Sequence, residues 1–412
     1  MTSSLRILAV SDVSPLVIGG GAERMLWEQA SRLVKVGHNV RILSRSTSGS
    51  AAGMVECQGV RIRHFPSDQR SLLRFVRSSI LEARQAVAQE LAEADADVLH
   101  LHQPLSGYGV LRSPLGRRIP SVYTFHSAAP LEYRSRRGMS GHHRGGCAGS
   151  LAMAVLWLIE RACLRHATRI HVLSDFSAGL LYKLYRIPSD RIVRIPGGVD
   201  TERFQPAADR TAVRNALGLP AGRPLLFTLR NLEPRMGLDT LIRAMAILRR
   251  QAPEALLLIG GTGSLRDTLE SLTVSLELSG YVRFLGFVPD DQLPLHYQTA
   301  DFFILPTREL EGFGLVTVEA LACGTPVLGT PIGGTPEILL PLRSDLLFPA
   351  GDPNAIAKTI LDHHHQFRSD PPGYQKLRDA CRRHALEHYA WPPLVNALEG
   401  VLLEVTNTHQ RA

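Results

Sequence analysis

Residues 302–329, FFILPTRELEGFGLVTVEALACGTPVLG, contain a complete strand–helix–strand pattern. The apolar run Phe302–Leu305 predicts a β-strand, Leu315–Ala322 predicts an apolar helix, and Pro326–Gly329 predicts a second short strand. A helix that joins two short apolar strands is typical of a crossover between parallel neighbours in one sheet. This stretch therefore predicts an α/β fold built on a parallel sheet.

The same alternation extends through both halves of the chain. Apolar strands followed by helical periodicities indicate a parallel sheet that is covered on both faces. The predicted strands of the first half are Arg6–Val10, Val40–Ser44, Val98–Leu101, Ser121–Thr124 and Arg169–Leu173, and its predicted helices are Ala22–Lys35, Leu72–Glu93, Leu151–His166 and Ser177–Leu184. The second half adds the strands Leu225–Leu229, Ala255–Ile259 and Val282–Leu285 and the helices Leu238–Arg250, Leu265–Leu278 and Ala355–His363.

The segment Val199–Pro206 marks the predicted domain boundary, because the alternation restarts after it. We predict two doubly wound, Rossmann-like α/β domains over residues 1–203 and 204–390, followed by a helical tail at 391–412. Ligands of open α/β sheets bind beyond the carboxyl ends of the strands, so two such sheets predict a site in the cleft between the domains. The pattern does not tell which domain the tail packs on.

The charge of the chain is unevenly divided. The net charge is +8, of which residues 1–203 carry +11 and residues 204–412 carry −3. A basic first half predicts an anionic surface or substrate for that half. A genome that prefers arginine explains why 42 of the 46 basic residues are arginines, but not why the excess lies in one half.

Composition excludes several classes of protein. A chain with 44% hydrophobic and 20% charged residues is neither disordered nor fibrous. Its five cysteines are widely spaced and form no CxxC pair, which predicts a reducing cytoplasm rather than a disulfide framework or a zinc site. The start, MTSSLRILAVSD, lacks a signal-peptide core, and the apolar stretch Leu151–Ile159 is about half of a spanning helix. We therefore expect a cytoplasmic protein that is not integral to a membrane.

Two glutamates eight residues apart, Glu311 and Glu319, mark the strongest candidate site. The glycine-rich frame predicts Glu311 in a loop and Glu319 one to two turns into the following helix, so both carboxylates could reach one elongated ligand. Free N–H groups of Gly312–Leu315 would face an anion at the helix start. Because this helix is apolar, Glu319 is predicted to be buried and to need a polar partner.

Three further segments follow predicted strands. Gly19–Gly21 opens a helix, where backbone N–H groups can approach an anion, although a flexible turn is the alternative. Arg230–Gly237, RNLEPRMG, carries two arginines that can grip phosphates bidentately, although a solvated loop is the alternative. Gly260–Ser264, GGTGS, lacks the third glycine of a dinucleotide-binding loop, which argues against NAD or FAD.

The histidines divide into one candidate and several others. His126 ends the predicted strand in YTFH, where a histidine can act as acid, base or hydrogen-bond donor, or be structural. His100 and His102 alternate along a strand and are predicted to point to one face. The run 363–365 lies between polar segments, and we predict no metal site there.

At these residues the chain resembles the large family of retaining nucleotide-sugar glycosyltransferases that includes bacterial mannosyl-, glucosyl- and N-acetylglucosaminyltransferases. The resemblance covers nearly the whole chain, with motifs in the same order: GGGAER, YTFH, SDFSAGLL, RIPGGVDTERF, RNLEPRMG, GFVPD and an E-x7-E signature in EGFGLVTVE. It implies the GT-B fold, in which two Rossmann-like domains face each other across a cleft and the final helix returns to the first domain.

The resemblance also implies roles for the matching residues around the donor. Gly20 and Gly21 would offer backbone N–H groups to the donor diphosphate, and Arg230 would neutralise the leaving nucleoside diphosphate. His126 would contact the donor sugar near the reacting carbon.

The E-x7-E signature carries the remaining implied contacts. Glu311 would hold hydroxyls of the donor sugar, and Glu319 would bind the ribose hydroxyls. The sugar and phosphate would also be held through the backbone of Gly312, Phe313, Gly314 and Leu315.

Two positions depart from the family pattern. Met236 stands where the family has lysine, and a thioether can neither carry charge nor donate a hydrogen bond. We predict that Arg235 replaces that lysine and forms a cationic clamp with Arg230, because Pro234 and Gly237 can bend the loop. Gly197 stands where the family has asparagine, and we expect this to change only a turn.

The resemblance implies a metal-independent enzyme without a cofactor, since arginines take the place of a cation. We expect a UDP- or GDP-sugar donor, a glycan, glycolipid or lipid-linked acceptor of cell-envelope or polysaccharide biosynthesis, and no nucleic-acid partner. Two alternatives stay open. One is a catalytically inactive paralogue that acts as a partner subunit, which only Met236 supports. The other is a sugar-nucleotide epimerase, although such enzymes lack the E-x7-E frame.

A basic stretch suggests attachment to a membrane surface. It precedes the apolar helix Leu151–Ile159 and contains Arg134, Arg136, Arg137, His142, His143 and Arg144. We predict reversible attachment to anionic lipid on the cytoplasmic face. A disordered acceptor loop beside a core helix is the alternative interpretation.

Overall fold

The computed structural model describes residues 4–17, 19–46, 53–136 and 147–411, which form two units that each contain one sheet. Unit 1 comprises Met1–Pro196 with Pro392–Ala412, and unit 2 comprises Gly197–Trp391. The division lies at 196/197 rather than at 203/204. Val199 already forms a β-bridge with Ala390, and a side chain on Gly198 would meet the Trp391 ring, so these residues belong with unit 2.

Short apolar runs form the sheet of unit 1. Its described strands are β1 (Arg6–Ser11), β2 (Asn39–Arg45), β3 (Met54–Cys57), β4 (Val60–Phe65), β5 (Val98–Leu101), β6 (Ser121–Phe125), β7 (Arg169–Val172) and β8 (Ile192–Arg194). Their order is β3-β4-β2-β1-β5-β6-β7-β8, and all neighbours are parallel except β3 and β4. Every residue of β5 and β6 is buried, as expected for strands that are covered on both faces. The five predicted strands of this half are confirmed.

The hairpin of β3 and β4 was not predicted. Cys57 pairs with Val60, so Gln58 and Gly59 form a two-residue turn. Both have positive φ angles, 48° and 77°, as a tight turn between antiparallel strands requires.

Helices cover the sheet of unit 1. They are α1 (Gly21–Lys35), α2 (Leu72–Glu93), α3 (Pro104–Arg112), α4 (Ala129–Arg136), α5 (Cys147–His166) and α6 (Asp175–Leu180). The helices α2, α3 and α5 lie in the connections from β4 to β5, from β5 to β6 and from β6 to β7, respectively. Crossovers between parallel strands are right-handed, so these three helices lie on one face of the sheet, where α3 contacts both of the others. The predicted helix Ser177–Leu184 is divided: α6 ends at Leu180, and a π-helical turn follows over Leu181–Tyr185.

Unit 2 contains a second, fully parallel sheet. Its strands are β9 (Leu225–Leu229), β10 (Leu256–Gly260), β11 (Val282–Gly286), β12 (Phe302–Leu305) and β13 (Val327–Gly329), in the order β11-β10-β9-β12-β13. The helices are α7 (Arg210–Ala216), α8 (Leu238–Leu248), α9 (Arg266–Ser275), α10 (Leu293–Thr299), α11 (Leu315–Ala322), α12 (Thr335–Leu339), α13 (Pro353–Ser369) and α14 (Pro371–Tyr389). The predicted strand–helix–strand unit of residues 302–329 is confirmed, because β12 and β13 pair in parallel.

The last helix, α15 (Trp391–Arg411), belongs to unit 1 from Pro392 onward. Glu404 accepts a hydrogen bond from Arg169 on β7 at 2.6 Å, and Glu399 lies 3.2 Å from the His38 ring. These contacts answer, for the tail, the question that the sequence pattern left open.

A buried carboxylate joins three elements of unit 2. Asp301, which precedes β12, is 3% exposed and accepts hydrogen bonds from Arg210 at 2.8 Å and Arg214 at 3.0 Å, both on α7. It also accepts the backbone N–H of Leu225 at the start of β9, at 2.8 Å. One carboxylate therefore holds α7 against the amino ends of two neighbouring strands.

We expect Asp301→Ala to lower the free energy of unfolding by about 3–5 kcal/mol, because it leaves the buried guanidinium of Arg214 and the partly buried one of Arg210 without a carboxylate. Chemical denaturation followed by circular dichroism measures the change. The matched control is Asp362→Ala, which removes an exposed pair with Lys358 and should cost less than about 1 kcal/mol. Equal effects of the two variants would contradict this assignment.

Candidate functional site

A buried ion pair lies at the carboxyl edge of the sheet in unit 2. Arg230 follows β9, and Glu311 lies in the loop between β12 and α11. Arg230 Nη2 donates to Glu311 Oε2 at 2.5 Å and to Thr307 Oγ1 at 3.0 Å, and the two charged side chains are 6% and 10% exposed. Because β9 and β12 are parallel neighbours, their loops meet at one edge. The pair therefore joins the two loops that carry the candidate site residues of unit 2.

The guanidinium of Arg230 retains a donor. Its Nε is buried and has no hydrogen-bond partner within the described ranges. A buried, charged N–H without an acceptor is costly, so a ligand oxygen that reached it would gain a charge-assisted hydrogen bond.

Close backbone contacts hold the Glu311 loop. The carbonyl of Glu311 accepts the N–H of Gly334 at 2.9 Å, and a Cβ on Gly333, where φ is +64°, would lie 1.9 Å from that carbonyl oxygen. The preceding Leu310 also has a positive φ of 59°. The backbone of Glu311 is thus fixed on both sides.

The GGTGS segment supports the Arg230 loop in the same way. The N–H of Arg230 donates to the Gly260 carbonyl at 3.0 Å, and a Cβ on Gly261, where φ is +119°, would lie 1.9 Å from the Arg230 carbonyl oxygen. Close packing of two backbones accounts for this glycine without a dinucleotide.

Met236 and Arg235 occupy different surroundings. Met236 is 5% exposed, and its Sδ lies 2.8 Å from Arg230 Nη2. Arg235 Nη1 donates to the Leu310 carbonyl at 2.9 Å, so it holds the loop that leads to Glu311. Residues Pro234–Met236 form a 3-10 turn, and the following Gly237 has a φ of +70°. The bend predicted for this loop is therefore confirmed, whereas the clamp with Arg230 stays a prediction.

Glu319 lies in the second turn of α11, as predicted. It is 3% exposed, and Tyr297 Oη donates to its Oε2 at 2.8 Å, which confirms the expected burial and polar partner. The helix begins at Leu315 after Gly314, whose φ is +91°, and no side chain caps this start within the described residues. Its first N–H groups therefore depend on backbone, water or a ligand.

The expectation that Gly197 changes only a turn was wrong, because this glycine also leaves room for two side chains. A Cβ at this position would lie 2.6 Å from Leu315 and 2.7 Å from Phe313. The missing side chain gives these two residues the space in which they pack. An asparagine here would require the side chains of Leu315 and Phe313 to shift.

The glycine loop of unit 1 leads into α1, as predicted. The helix begins at Gly21, with Gly20 as its N-cap residue, and no side-chain cap is present among the described residues. The N–H groups at this helix start therefore have the arrangement that suits an anion.

His126 follows β6 and is not isolated. Its Nε2 lies 3.2 Å from Nδ1 of His102, which follows β5. Burial lowers the pKa of His126 to about 3, so the ring is neutral near pH 7. The predicted common face of His100 and His102 is confirmed, because their ring centroids lie 4.2 Å apart. Sequence reasoning missed the contact between His102 and His126. It arises because β5 and β6 pair in parallel up to Leu101 and Tyr123, so that the residues which follow both strands lie side by side.

Two features are absent from the described residues. They contain no group of three or more His, Cys, Asp or Glu residues arranged to hold a metal ion. None of their helices is long and apolar enough to span a membrane. Of the predicted basic stretch, Arg134 and Arg136 lie on α4, whereas Arg137, His142, His143 and Arg144 lie outside the described residues.

Two family models match the chain. "Glycosyl transferases group 1" matches residues 209–384, and "Glycosyltransferase Family 4" matches residues 19–203. The first therefore covers the Arg230, Glu311 and Glu319 motifs, and the second covers Gly20, Gly21 and His126.

Individual proteins are similar over different lengths. A GDP-mannose-dependent alpha-(1-6)-phosphatidylinositol monomannoside mannosyltransferase of Mycolicibacterium smegmatis is 36% identical over 211 residues, which are 50% of this chain and 54% of that protein. A D-inositol 3-phosphate glycosyltransferase of Kineococcus radiotolerans is 30% identical over 76% of this chain and 74% of its own length. The sucrose-phosphate synthase structure of Thermosynechococcus elongatus superposes with a TM-score of 0.83 at 23% identity, over 98% of this chain and all of that one.

We expect Arg235→Ala to weaken binding of a nucleoside diphosphate by about 1.5–3 kcal/mol, the range for a charged hydrogen bond. Arg235→Lys should recover part of the loss. Adding Met236→Lys to Arg235→Ala should restore binding, because the added ammonium would lie next to Arg230 and offer the diphosphate a second cation. Isothermal calorimetry with UDP and GDP measures these affinities.

The control for these variants is Arg308→Ala. Arg308 is also an arginine near this loop, but it pairs with Asp239 at 2.6 Å. Its loss should leave the affinity unchanged. If Arg235→Ala binds as tightly as the wild type, Arg230 and the backbone suffice, and the substitution argument fails.

Proposed function

Because the chain belongs to the glycosyltransferases and transfers a sugar from a nucleotide-sugar donor, we propose that it does so with retention of anomeric configuration, without a metal ion, and onto a lipid-linked acceptor. UDP- and GDP-sugars are the proposed donors. The mannosyltransferase relative is named for GDP-mannose and for phosphatidylinositol monomannoside, which supports a GDP-sugar donor and a lipid-linked acceptor.

The observation that carries the proposal is the Arg230–Glu311 pair. Transfer breaks a sugar–phosphate bond, so negative charge develops on the leaving diphosphate. A preorganised, buried guanidinium stabilises such charge strongly, because the surroundings are poor in water and need no reorganisation. In this proposal, Arg230 Nε donates to the diphosphate, and sugar hydroxyls donate to the Glu311 carboxylate.

Transfer without a metal ion is proposed because cationic side chains and helix N–H groups can balance the negative charge of the donor diphosphate. Arg230 supplies a permanent positive charge, and the uncapped start of α11 supplies backbone N–H groups. These groups can neutralise the diphosphate of the donor without a divalent cation. Retention is supported by the resemblance of the E-x7-E signature to that of retaining enzymes.

Glu319 is proposed to bind the ribose of the donor. Tyr297 donates to one of its oxygens and thereby holds the carboxylate in one rotamer. A carboxylate accepts two hydroxyl donors well, which suits the paired 2′- and 3′-hydroxyls of a ribose. His126 is proposed to contact the donor sugar.

A panel of donors and nucleotides tests this function. Thermal shift with UDP, GDP and ADP, and with UDP-glucose and GDP-mannose, should identify the donor. Turnover should persist in excess EDTA, and NMR of the glycosylated product should show the anomeric configuration of the donor. Loss of turnover in EDTA would overturn metal independence, and an inverted product would overturn retention.

Two glutamate variants should separate nucleotide binding from turnover. Glu319→Ala is expected to weaken nucleoside diphosphate binding by about 1–3 kcal/mol, because it loses charged hydrogen bonds to the ribose. Glu311→Ala should lower turnover more than affinity for the bare nucleotide, because it contacts the sugar. Calorimetry and steady-state kinetics measure both. The exposed Glu277→Ala serves as control, and wild-type behaviour of both site variants would show that the site is misassigned.

We also propose that unit 1 attaches reversibly to an anionic membrane surface. On α5, Leu151, Val155 and Leu158 are exposed at the spacing of one helix face. On α2, exposed leucines and arginines share a face: Leu73, Arg74, Arg77, Leu81 and Arg84. Since α3 packs between α2 and α5, the two faces belong to one helical layer. Apolar side chains flanked by arginines suit the interface of an anionic bilayer.

The wild type should co-sediment with phosphatidylglycerol vesicles at low salt, and high salt should release it, because screening weakens the attraction of arginines to anionic lipid. Leu151→Asp combined with Leu158→Asp should reduce the bound fraction by about tenfold or more, since burying one leucine contributes about 1.5–3 kcal/mol.

The matched control for vesicle binding is Val274→Asp, which changes an equally exposed apolar residue in unit 2. It should bind like the wild type. Absence of wild-type binding to anionic vesicles at low salt would exclude the membrane proposal.

A further inference from the structure

Four histidines and one threonine share one face of three neighbouring strands in unit 1. The register pairs His100 with Val122 and Thr124 with His171, so alternate residues of β5, β6 and β7 point to the same side. His100, His102 and His171 are each at most 2% exposed, whereas His126 at the strand end is partly exposed. His126 is therefore the member of this cluster that a ligand can reach.

The proton positions in one part of the cluster follow from the acceptors. The Ile195 carbonyl lies 2.9 Å from His171 Nε2 and can only accept, so that nitrogen carries the proton. Burial lowers the pKa of His171 to about 4, so its Nδ1 is unprotonated and accepts the Thr124 hydroxyl at 3.0 Å. The threonine oxygen then accepts from His100 Nε2 at 2.7 Å.

The pair of His102 and His126 has two possible arrangements. Either His102 Nδ1 donates to His126 Nε2, or His126 Nε2 donates to His102 Nδ1, across 3.2 Å. In the second arrangement, a neutral His102 carries its proton on Nε2. That atom is buried and has no partner among the described residues. An N–H buried without an acceptor is rarer in proteins than an acceptor without a donor, so the first arrangement is favoured.

We propose that His102 is a positioning residue that fixes His126 as the tautomer protonated on Nδ1. His126 then presents an N–H, and not a lone pair, to its ligand. Since its Nε2 is occupied by the hydrogen bond from His102, His126 acts as a hydrogen-bond donor to an oxygen atom and not as a general base. The identification of that oxygen as a hydroxyl of the donor sugar rests on the proposed function.

This assignment decides among the roles that the sequence left open for His126. A neutral imidazole with Nδ1–H can orient a sugar hydroxyl through its oxygen, but it cannot take the proton of an attacking hydroxyl at the same atom. Proton removal from the acceptor must therefore fall to another group of the enzyme or of the donor.

The tautomer is directly measurable in the full-length chain. Histidine is labelled with ¹⁵N, and long-range ¹H–¹⁵N correlations report which ring nitrogen carries the proton. The His126 signals are assigned by their loss in His126→Gln. The expected result is a protonated Nδ1 on His126 in the wild type and a mixture of tautomers in His102→Phe. A protonated Nε2 on His126 in the wild type would overturn the proposal, whatever the enzyme transfers.

Three substitutions of His102 supply a kinetic test. The amide of His102→Asn places an N–H donor where Nδ1 stood, whereas the amide of His102→Gln places it where Nε2 stood. We expect His102→Asn to retain turnover within a few-fold. We expect His102→Gln and His102→Phe to lose about 10- to 100-fold in kcat, by analogy with residues that orient metal-binding histidines. Binding of the nucleoside diphosphate should not change in any of them.

The matched control is His100→Gln, whose amide can replace the Nε2 donor toward Thr124 and does not touch His126. It should leave kcat and the thermal midpoint near wild type. Turnover is measured as consumption of GDP-mannose and UDP-glucose. Equal activity of His102→Asn, His102→Gln and His102→Phe would refute the positioning role. If the wild type consumes neither donor, the proposed function is in doubt, and the NMR result alone decides the tautomer.

Discussion

The contact between the Arg230 guanidinium and the Glu311 carboxylate organises the candidate site of unit 2. Moving two opposite charges out of water is costly, and their mutual attraction repays that cost only when the geometry is good and further hydrogen bonds are made. Here Thr307 contacts both partners, and the backbone on each side is fixed through Gly261 and Gly333. The pair holds both charged groups at one edge of the sheet before any ligand arrives.

Much of this unit could be predicted from the sequence, for a physical reason. Strands that are buried on both faces consist of short, continuous apolar runs, and Leu225–Leu229 and Phe302–Leu305 were predicted to the residue. The carboxyl ends of parallel neighbours share one edge, so the loops that follow these strands had to meet. The burial of Glu319 followed from its apolar helix, although the identity of its partner, Tyr297, depended on how α10 packs and was not predictable.

Other features depend on contacts that no local pattern encodes. The hairpin of β3 and β4 has a Gln-Gly turn, and three of the four residues of β3 are exposed, so neither turn composition nor alternation marked it. The requirement for Gly197 arises from Phe313 and Leu315, which lie more than one hundred residues further along the chain. The contact of His102 with His126 depends on the register between two strands, which periodicity does not supply.

The buried, neutral histidines also link the folding of unit 1 to the proton concentration. The pKa of His100 is about 3 and that of His171 about 4 in the folded chain, against 6.5 for an unperturbed histidine, because burial disfavours the charged ring. Between the folded and the unfolded pKa values, the unfolded chain therefore binds protons that the folded chain does not bind. The stability is complete above pH 6.5 and declines as the pH falls toward these folded values, by about 1.4 kcal/mol per pH unit for each ring. The same dry surroundings that hold the tautomers in place thus make unit 1 sensitive to acid.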